Sequence, residues 1–325
     1  MTDTALRIGV LGCAEIARRR MLPAIAAQPG LRLAAIASRD PERAKPLAEQ
    51  YGCRAVTGYR ALVEDPDVDA VYVPLPIALH ADWTAAALEA GKHVLAEKPL
   101  TADPQSTLAL QRLAERRGLV LRENVMFVHH PVHEQVRRLV ADGAIGELRM
   151  FSAAFAVPAL PPTDIRHRPE LGGGALLDVG YYPVRAALHL LGPQLTVAGA
   201  ALHRGGSGAV DTSGTALLLA PGGVLGQLAF GMDHAYRNSY ELWGSTGRIR
   251  VDRAFTPPAD TAPGVLLERG GDREQLVAPA VDQVAATLAA FTAAVAEGAT
   301  AADPLIHRQA ELLRAVRAAA TPARP

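Results

Sequence analysis

The stretch 6–18 constrains the fold more tightly than any other part of the chain. A short apolar run from Ile8 to Leu11 stops at Gly12, and a helical pattern starts within three residues. A buried strand, a tight turn and a helix N-terminus in succession can hold a dinucleotide pyrophosphate. The donors are backbone N–H groups of the first helical turn, which have no helical carbonyl behind them, reinforced by the helix dipole. The usual fingerprint is G-x-G-x-x-G/A. Here it reads Gly12-Cys13-Ala14-Glu15-Ile16-Ala17, with alanine at the second glycine, and that methyl narrows the approach of the phosphates. An ordinary strand–helix turn could carry the same six residues, so the rest of the chain decides.

The second strand, 31–37, ends at Ser38-Arg39-Asp40-Pro41. An acidic residue at this tip would grip the ribose 2′-hydroxyl of NAD. A hydroxyl and a cation, Ser38 and Arg39, suit a 2′-phosphate instead, which predicts NADP(H). Asp40 reads as the cap of a helix opened by Pro41. A third unit follows, with a strand at 69–74 and a helix at 79–90 closed by Gly91. The next strand, 93–96, runs into Glu97-Lys98-Pro99-Leu100. Strands alternating with helices of this length predict a parallel, doubly wound sheet. Chemistry in such sheets gathers at the carboxyl ends of strands, where Lys98 sits beside a proline that fixes the backbone. A lysine there would by itself read as a solvated loop residue; Glu97 and Pro99 turn the reading. The cofactor set is therefore Gly12, Cys13, Ala14, Glu15, Ile16, Ser38, Arg39, Pro74, Leu75, His80, Glu97 and Lys98. A helix at 103–117 and a strand at 119–122 complete a dinucleotide-binding domain, 1–123.

From Phe127 the pattern changes. A helix at 131–141 precedes a strand at 148–157, and a proline-rich loop at 158–169 carries Asp164, Arg166, His167 and Arg168. Gly172-Gly173-Gly174 introduces a helix at 175–191. Strands at 196–203, 212–220, 223–232, 239–244, 247–251 and 265–268 follow with no helices between them, which predicts a largely antiparallel sheet. Helices at 281–296 and 303–319 finish the chain. The predicted architecture is α/β: an N-terminal Rossmann domain with a doubly wound parallel sheet, then an α+β domain, 124–325, with a large, mostly antiparallel sheet. The C-terminal helix has the option of packing back on the first domain. Within 175–191, Asp178 and Tyr182 are four apart and Arg185 three further, so all three are expected on one helical face lining a cleft. A core tyrosine beside an Asp–Arg surface pair would give the same stripe.

Composition bounds the partners. The 325 residues suffice for two domains, and 49% hydrophobic with 20% charged residues is ordinary for a globular enzyme. Thirty-three basic and 33 acidic residues balance, so no global field recruits nucleic acid or a membrane, and neither is expected as a partner. Absence of a membrane-length apolar run and of a signal-peptide pattern, with only Cys13 and Cys53, predicts a cytoplasmic protein. No metal is assigned.

These motifs together resemble the Gfo/Idh/MocA oxidoreductases, nearly end to end. The resemblance rests on the Gly12–Ala17 fingerprint, on Glu97-Lys98-Pro99, and on Gly172-Gly173-Gly174-Ala175-Leu176-Leu177-Asp178-Val179-Gly180-Tyr181-Tyr182. Many members carry Asp-x-Gly-x-His; here Tyr182 takes the histidine place. Within the family the chain is most similar to the NADPH-dependent C-3 ketoreductases of TDP-sugars. That likeness lies in the segment 13–23, in Met126-Phe127-Val128-His129-His130 and in Arg253-Ala254-Phe255-Thr256-Pro257-Pro258. Val128, where arginine is common, and Arg185, where an acid often follows, imply a bulkier and more basic pocket suited to a sugar nucleotide.

The resemblance implies that Lys98 and Tyr182 are catalytic. Tyr182, with a phenol's ordinary pKa of about 10, would give the proton, and Lys98 would stabilise the developing alkoxide. Asp178 would orient Lys98 or a substrate hydroxyl. The substrate set is Lys98, His129, Arg166, Asp178, Tyr182, Arg185, Tyr236 and Arg237, with Arg166, Arg168, Tyr236 and Arg237 at the diphosphate end. A dehydrogenase of free sugars, inositols or dihydrodiols is the alternative, and a non-catalytic NADP-binding regulator a second; retention of both Lys98 and Tyr182 favours an enzyme. A homo-oligomer, dimer or tetramer, is expected through the C-terminal sheet, since no helices remain to cover its second face.

Overall fold

The alternation of short apolar runs with capped helices in the first third of the chain builds a six-stranded sheet. The computed structural model describes residues 5–205 and 208–322. In chain order the first unit holds β1 (Leu6–Leu11), a π-helical segment (Ala17–Met21) continuing into α1 (Leu22–Ala27), β2 (Leu31–Ser38), α2 (Pro41–Tyr51) and β3 (Arg54–Thr57). It goes on through α3 (Tyr59–Val63), β4 (Ala70–Val73), α4 (His80–Glu89), β5 (His93–Glu97), α5 (Pro104–Arg117) and β6 (Leu121–Asn124). Every pairing is parallel and the order is β3-β2-β1-β4-β5-β6. That is the doubly wound dinucleotide-binding order, with the switch point between β1 and β4. Ile8, Val10, Leu11, Ile36, Val71, Val73 and Val94 are wholly buried, as expected of parallel strands covered on both faces.

The chain returns to this unit near its end: residues up to Val125 cluster with Val284–His307, and Met126–Gln283 with those from Arg308 onward. The returning part is α9 (Gln283–Ala296) with the start of α10 (Pro304–Ala319), so the division falls inside a helix. Arg122 Nη2 donates to Ala299 O at 2.7 Å and Gln111 Nε2 to Asp303 O at 2.8 Å, fastening the returning stretch.

The second unit contains α6 (Pro131–Ala141), β7 (Leu148–Ala156), α7 (Ala175–Asp178), α8 (Tyr181–Leu191), β8 (Thr196–His203), β9 (Ser213–Leu219) and β10 (Leu225–Gly231). It continues with β11 (Arg237–Gly244), β12 (Gly247–Asp252), β13 (Gly264–Arg269), β14 (Asp272–Leu276) and, after α10, β15 (Ala320–Pro322). These strands form one nine-stranded sheet, β14-β13-β12-β11-β7-β10-β9-β8-β15. Among the described residues of this sheet only β7–β10 and β8–β15 pair in parallel. Among the described residues no helix is long and apolar enough to cross a membrane.

One expected element is broken. The helix read as 175–191 is two helices, because Gly180 N–H donates to Ala175 O at 2.8 Å, one residue further back than a regular α-turn. A Cβ at Gly180 would lie 2.8 Å from Leu176 O and 3.1 Å from the Phe230 ring, so glycine is required by space alone. Asp178 therefore closes α7 while Tyr182 stands in the first turn of α8. The four-residue spacing does not place them on one face of one helix.

Candidate active site

The turn after β1 is built for close approach of a phosphate. Gly12 has φ +92°, a conformation that favours glycine, and its N–H donates to Ala37 O at 2.7 Å. A Cβ there would press on Leu75 at 3.2 Å and on the Tyr59 hydroxyl at 3.3 Å. Arg18 is the first residue whose N–H reaches back, to Ala14 O at 3.0 Å. The N–H groups of Ala14, Glu15 and Ile16 thus precede the helical ladder, which fits a pyrophosphate. The π-helical widening at Ala17–Met21, where Leu22 N–H reaches Ala17 O, lies just before Pro23. Proline lacks an N–H and its ring crowds the carbonyl one turn back, and the wider turn makes room for it. Cys13 is buried, its Sγ 3.3 Å from Arg43 O, and burial pushes its thiol pKa up.

At the tip of β2, Ser38 is 5% exposed and its Oγ accepts from Asp40 N–H at 3.2 Å. Its hydroxyl serves the turn, whereas Arg39 stands exposed beside it. Asp40 caps α2, accepting from Glu42 N–H at 3.1 Å, with Pro41 at the first helical position. Glycine at the turn, unbonded N–H groups ahead of the helix and an exposed arginine at the β2 tip fit a 2′-phosphorylated dinucleotide.

At the end of β5, Glu97 Oε1 accepts from the Tyr72 hydroxyl and from Asn124 Nδ2, both at 2.6 Å. Burial, with the Glu97 charge, drives the Tyr72 pKa well up, so its hydroxyl keeps its proton. Glu97 Oε2 lies 3.4 Å from Lys98 N, and the Lys98 side chain is half-buried. Pro74 and Leu75 are buried at the end of β4. His80, expected to touch the cofactor, is placed otherwise. Its ring is 0% exposed, with Nδ1 2.9 Å from Pro99 O and Nε2 2.7 Å from Leu75 O. Burial holds its pKa down. It joins two backbone loops rather than presenting itself to a ligand. Sequence reasoning missed Tyr72, Asn124 and Glu123; the last two are polar residues at a buried strand's carboxyl end, the signal that marked Lys98.

In the second unit, Tyr182 is gripped by aromatic rings. Phe155 meets it edge-on at 4.8 Å, with Phe255 at 5.8 Å, Tyr181 at 5.9 Å and Phe127 at 6.1 Å. Tyr236 is 49% exposed and reaches this cluster through Phe155 at 6.5 Å; its hydroxyl accepts from Asn238 Nδ2 at 2.9 Å. Arg237 is exposed at the start of β11. Arg166, expected at the diphosphate end, is held by two carboxylates: Nε donates to Asp178 Oδ2 at 2.6 Å and Nη1 to Asp164 Oδ1 at 3.2 Å. Two carboxylates already balance its charge and push its pKa up, Asp178 foremost, so a diphosphate would have to compete with them. Asp178, expected to orient Lys98 or a substrate hydroxyl, holds the proline-rich loop through that arginine. Arg168 pairs with Glu170 at the surface, 2.7 Å apart. The three glycines let this loop fold tightly. A Cβ on Gly173 would lie 2.4 Å from Arg166 O, and one on Gly174 2.7 Å from Asp211 Oδ1. Asp211, another residue the sequence did not announce, accepts from Leu176 N–H at 2.6 Å and holds the start of α7. Arg185 is 4% exposed, and burial with its charge pushes the His129 pKa down. Among the described residues no group of three His, Cys, Asp or Glu side chains could hold a metal.

Residues 6–125 match the family model described as oxidoreductase family, NAD-binding Rossmann fold, and residues 133–250 match the GFO/IDH/MocA C-terminal domain. The chain is 54% identical over 302 residues to dTDP-3,4-didehydro-2,6-dideoxy-alpha-D-glucose 3-reductase of Saccharopolyspora spinosa, covering 93% of this chain and 91% of that one. It superposes with a TM-score of 0.95, at 50% identity and 98% coverage of both chains, on KijD10, a 3-ketoreductase from Actinomadura kijaniata in complex with NADP and TDP-benzene. D-xylose 1-dehydrogenase (NADP(+)) 2 of Haloferax volcanii is more distant, 35% identical over 94% of this chain and 92% of its own. A Rossmann sheet wound to the switch point, a lysine at the end of β5 and a tyrosine opening α8 agree with these matches. The chain belongs to the Gfo/Idh/MocA oxidoreductase family.

Proposed function

We propose that this enzyme reduces the C-3 ketone of a TDP-linked 3,4-diketo-2,6-dideoxyhexose with NADPH, in the cytoplasm. The observation that carries the reading is near-full-length identity of 54% to a named 3-reductase, far above the 35% to a free-sugar dehydrogenase. NADPH, when bound, supplies the hydride from C4 of its nicotinamide. The Gly12 turn and the N–H groups of Ala14, Glu15 and Ile16 hold the pyrophosphate, and Arg39 takes the 2′-phosphate. The Tyr182 hydroxyl gives its proton to the C-3 oxygen as the hydride reaches carbon, and Lys98 stabilises the negative charge growing on that oxygen. The rings of Phe127, Phe155 and Phe255 orient the phenol and exclude water. His129, Arg185, Tyr236 and Arg237 are assigned to the sugar nucleotide, and Asp178 to the sugar through a hydroxyl, with Arg166 behind it. The test is NADPH oxidation with a TDP-diketosugar against NADP+ reduction with free aldoses, inositols and dihydrodiols. Consumption with the TDP-sugar alone is the expected result; turnover with free aldoses alone would move the chain beside its 35% relative, and none with either would indicate a regulator.

A second copy of the chain is the proposed partner. Across four neighbouring strands, Leu219 faces Leu225, Leu225 faces Met150 and Met150 faces Trp243, an apolar row in register. Leu217, Leu219, Leu225 and Trp243 are 52%, 42%, 50% and 57% exposed. The other side of the sheet packs against α7 and α8. An exposed apolar face of this extent favours self-association about a two-fold axis.

A further inference from the structure

We infer that Glu123 and His80 are positioning residues that set the place of Lys98 during the reduction, by fixing the backbone on its C-terminal side. The inference rests on the reading of Lys98 as the group that stabilises the developing alkoxide. Before Lys98 the backbone is held by the sheet: Glu97 is the last residue of β5 in register with β6, opposite Asn124. Its carboxylate is pinned by Tyr72 and Asn124. After Lys98 the ladder has ended, and Pro99 brings no N–H of its own. Pro99 is buried and Leu100 is 1% exposed, so the carbonyl of one and the N–H of the other need partners inside the protein.

Those partners are side chains. Leu100 N–H donates to Glu123 Oε1 at 2.6 Å, and Glu123 is itself 7% exposed on β6. Neighbouring side chains leave opposite faces of a strand, so β6 sends Asn124 to the Glu97 carboxylate and Glu123 to the Leu100 amide. His80, at the start of α4, supplies the second anchor, with Nδ1 against Pro99 O and Nε2 against Leu75 O. Both partners are carbonyls and only accept, so a neutral ring donates to one of them, and the anchor on the Lys98 side is the tautomer with its proton on Nδ1, toward Pro99 O. Lys98 is thus flanked by fixed points on both sides, none of which is the ammonium group itself. Displacing a reacting group by about 1 Å can cost on the order of 10²-fold in rate.

The test compares Glu123→Leu, which keeps the bulk and removes the acceptor, with Glu123→Gln, which keeps an oxygen for Leu100 N–H. Glu123→Leu is expected to lower kcat by about 10- to 100-fold while KM for NADPH and for the TDP-diketosugar stays within about threefold. The deuterium isotope effect with 4-deuterated NADPH should rise toward its full value, because chemistry becomes the slow step. Glu123→Gln should recover most of the turnover. A merely structural role would reduce the active fraction and leave the isotope effect unmoved. His80→Leu should show the same kcat-only loss, and it carries the test if Glu123→Leu does not fold. Wild-type kcat in both variants, or equal loss in Glu123→Gln and Glu123→Leu with an unchanged isotope effect, would overturn the inference. Lys98→Met separates the two levels. If it is inactive while Glu123→Leu is fully active, positioning fails alone; if Lys98→Met turns over normally, the role given to Lys98 fails first.

Discussion

At the scale of single residues, the proposed chemistry falls to two side chains 84 positions apart in sequence, Lys98 and Tyr182. Tyr182→Phe removes the acid and keeps the ring that Phe155 and Phe255 pack against. General acid catalysis is worth roughly 10²–10⁴-fold, so kcat should fall by about that much. Lys98→Met should cost a comparable factor, and the double variant should lose far less than the product of the two, because both serve one transition state. A Tyr182→Phe enzyme with wild-type kcat and only a raised KM would make Tyr182 a binding residue. Arg39 governs cofactor choice in this reading. Arg39→Ala should raise the KM for NADPH and leave that for NADH nearly unchanged; equal losses would show that Arg39 does not meet the 2′-phosphate. The places of Lys98, Tyr182, Arg39 and the Gly12 turn in the fold were legible because each sits at a punctuation point of the pattern: a strand end, a helix start, a glycine. The partners of Glu123, Tyr72 and Asp211 were not, because they depend on which backbone N–H or carboxylate lies opposite after folding. The partners of Arg166 were hidden for the same reason: the sequence shows a cation in a loop, and only the fold brings Asp164 and Asp178 to it.

At the scale of elements, the parallel sheet was readable from the start, whereas the junction between α7 and α8 was not. Apolar periodicity runs unbroken from Ala175 to Leu191, and the break shows only in the backbone, where Gly180 N–H reaches Ala175 O and a Cβ at Gly180 would meet Leu176 O before the Phe230 ring. The edge strands β3 and β14 escaped notice, β3 because it is four residues long and mostly exposed, β14 because it is polar; β14 reads Asp272-Arg273-Glu274-Gln275-Leu276, and such charge protects an edge from pairing with another chain. Between α6 and α8 lies a pH-sensitive contact. His133 is 1% exposed, and its ring packs on His189 at 6.0 Å and on His130 at 6.3 Å. Burial first, then the neighbouring His189 and His130, push His133 down to about 3. Burial, with the charges of Arg137 and Arg185 and against that of Glu134, takes His189 down to about 4. Both rings are neutral in the fold and bind protons near ~6.5 once unfolded. Between those values the unfolded chain carries more protons, so stability is full above about pH 6.5 and declines as pH falls toward 4. The thermal midpoint should therefore drop on acidification through this window, and His189→Gln should flatten the drop. An unchanged slope in that variant would remove His189 from the explanation.

At the scale of the whole molecule, a sheet with helices on one side and an apolar row on the other predicts an assembly. Light scattering should give a mass of at least a dimer, and Trp243→Glu, a charge at the most exposed end of that row, should shift it toward the monomer. A monomeric wild type, or a Trp243→Glu protein of unchanged mass, would contradict pairing through this face. Fold class and family were legible in the sequence because the fingerprint, the strand-end lysine and the glycine run each mark a different part of one architecture. The return of α9 to the first unit was not, since an alanine-rich helix without a charged residue carries no address. The central claim is hydride delivery to C-3 of a TDP-linked diketosugar. Incubation of that substrate with NADPH deuterated at the transferable C4 position, followed by mass spectrometry and NMR of the product, tests it directly. One deuterium on carbon 3 of a TDP-linked sugar bearing a new C-3 hydroxyl is the expected result; deuterium at carbon 4, or none transferred to the TDP-sugar, would contradict C-3 reduction.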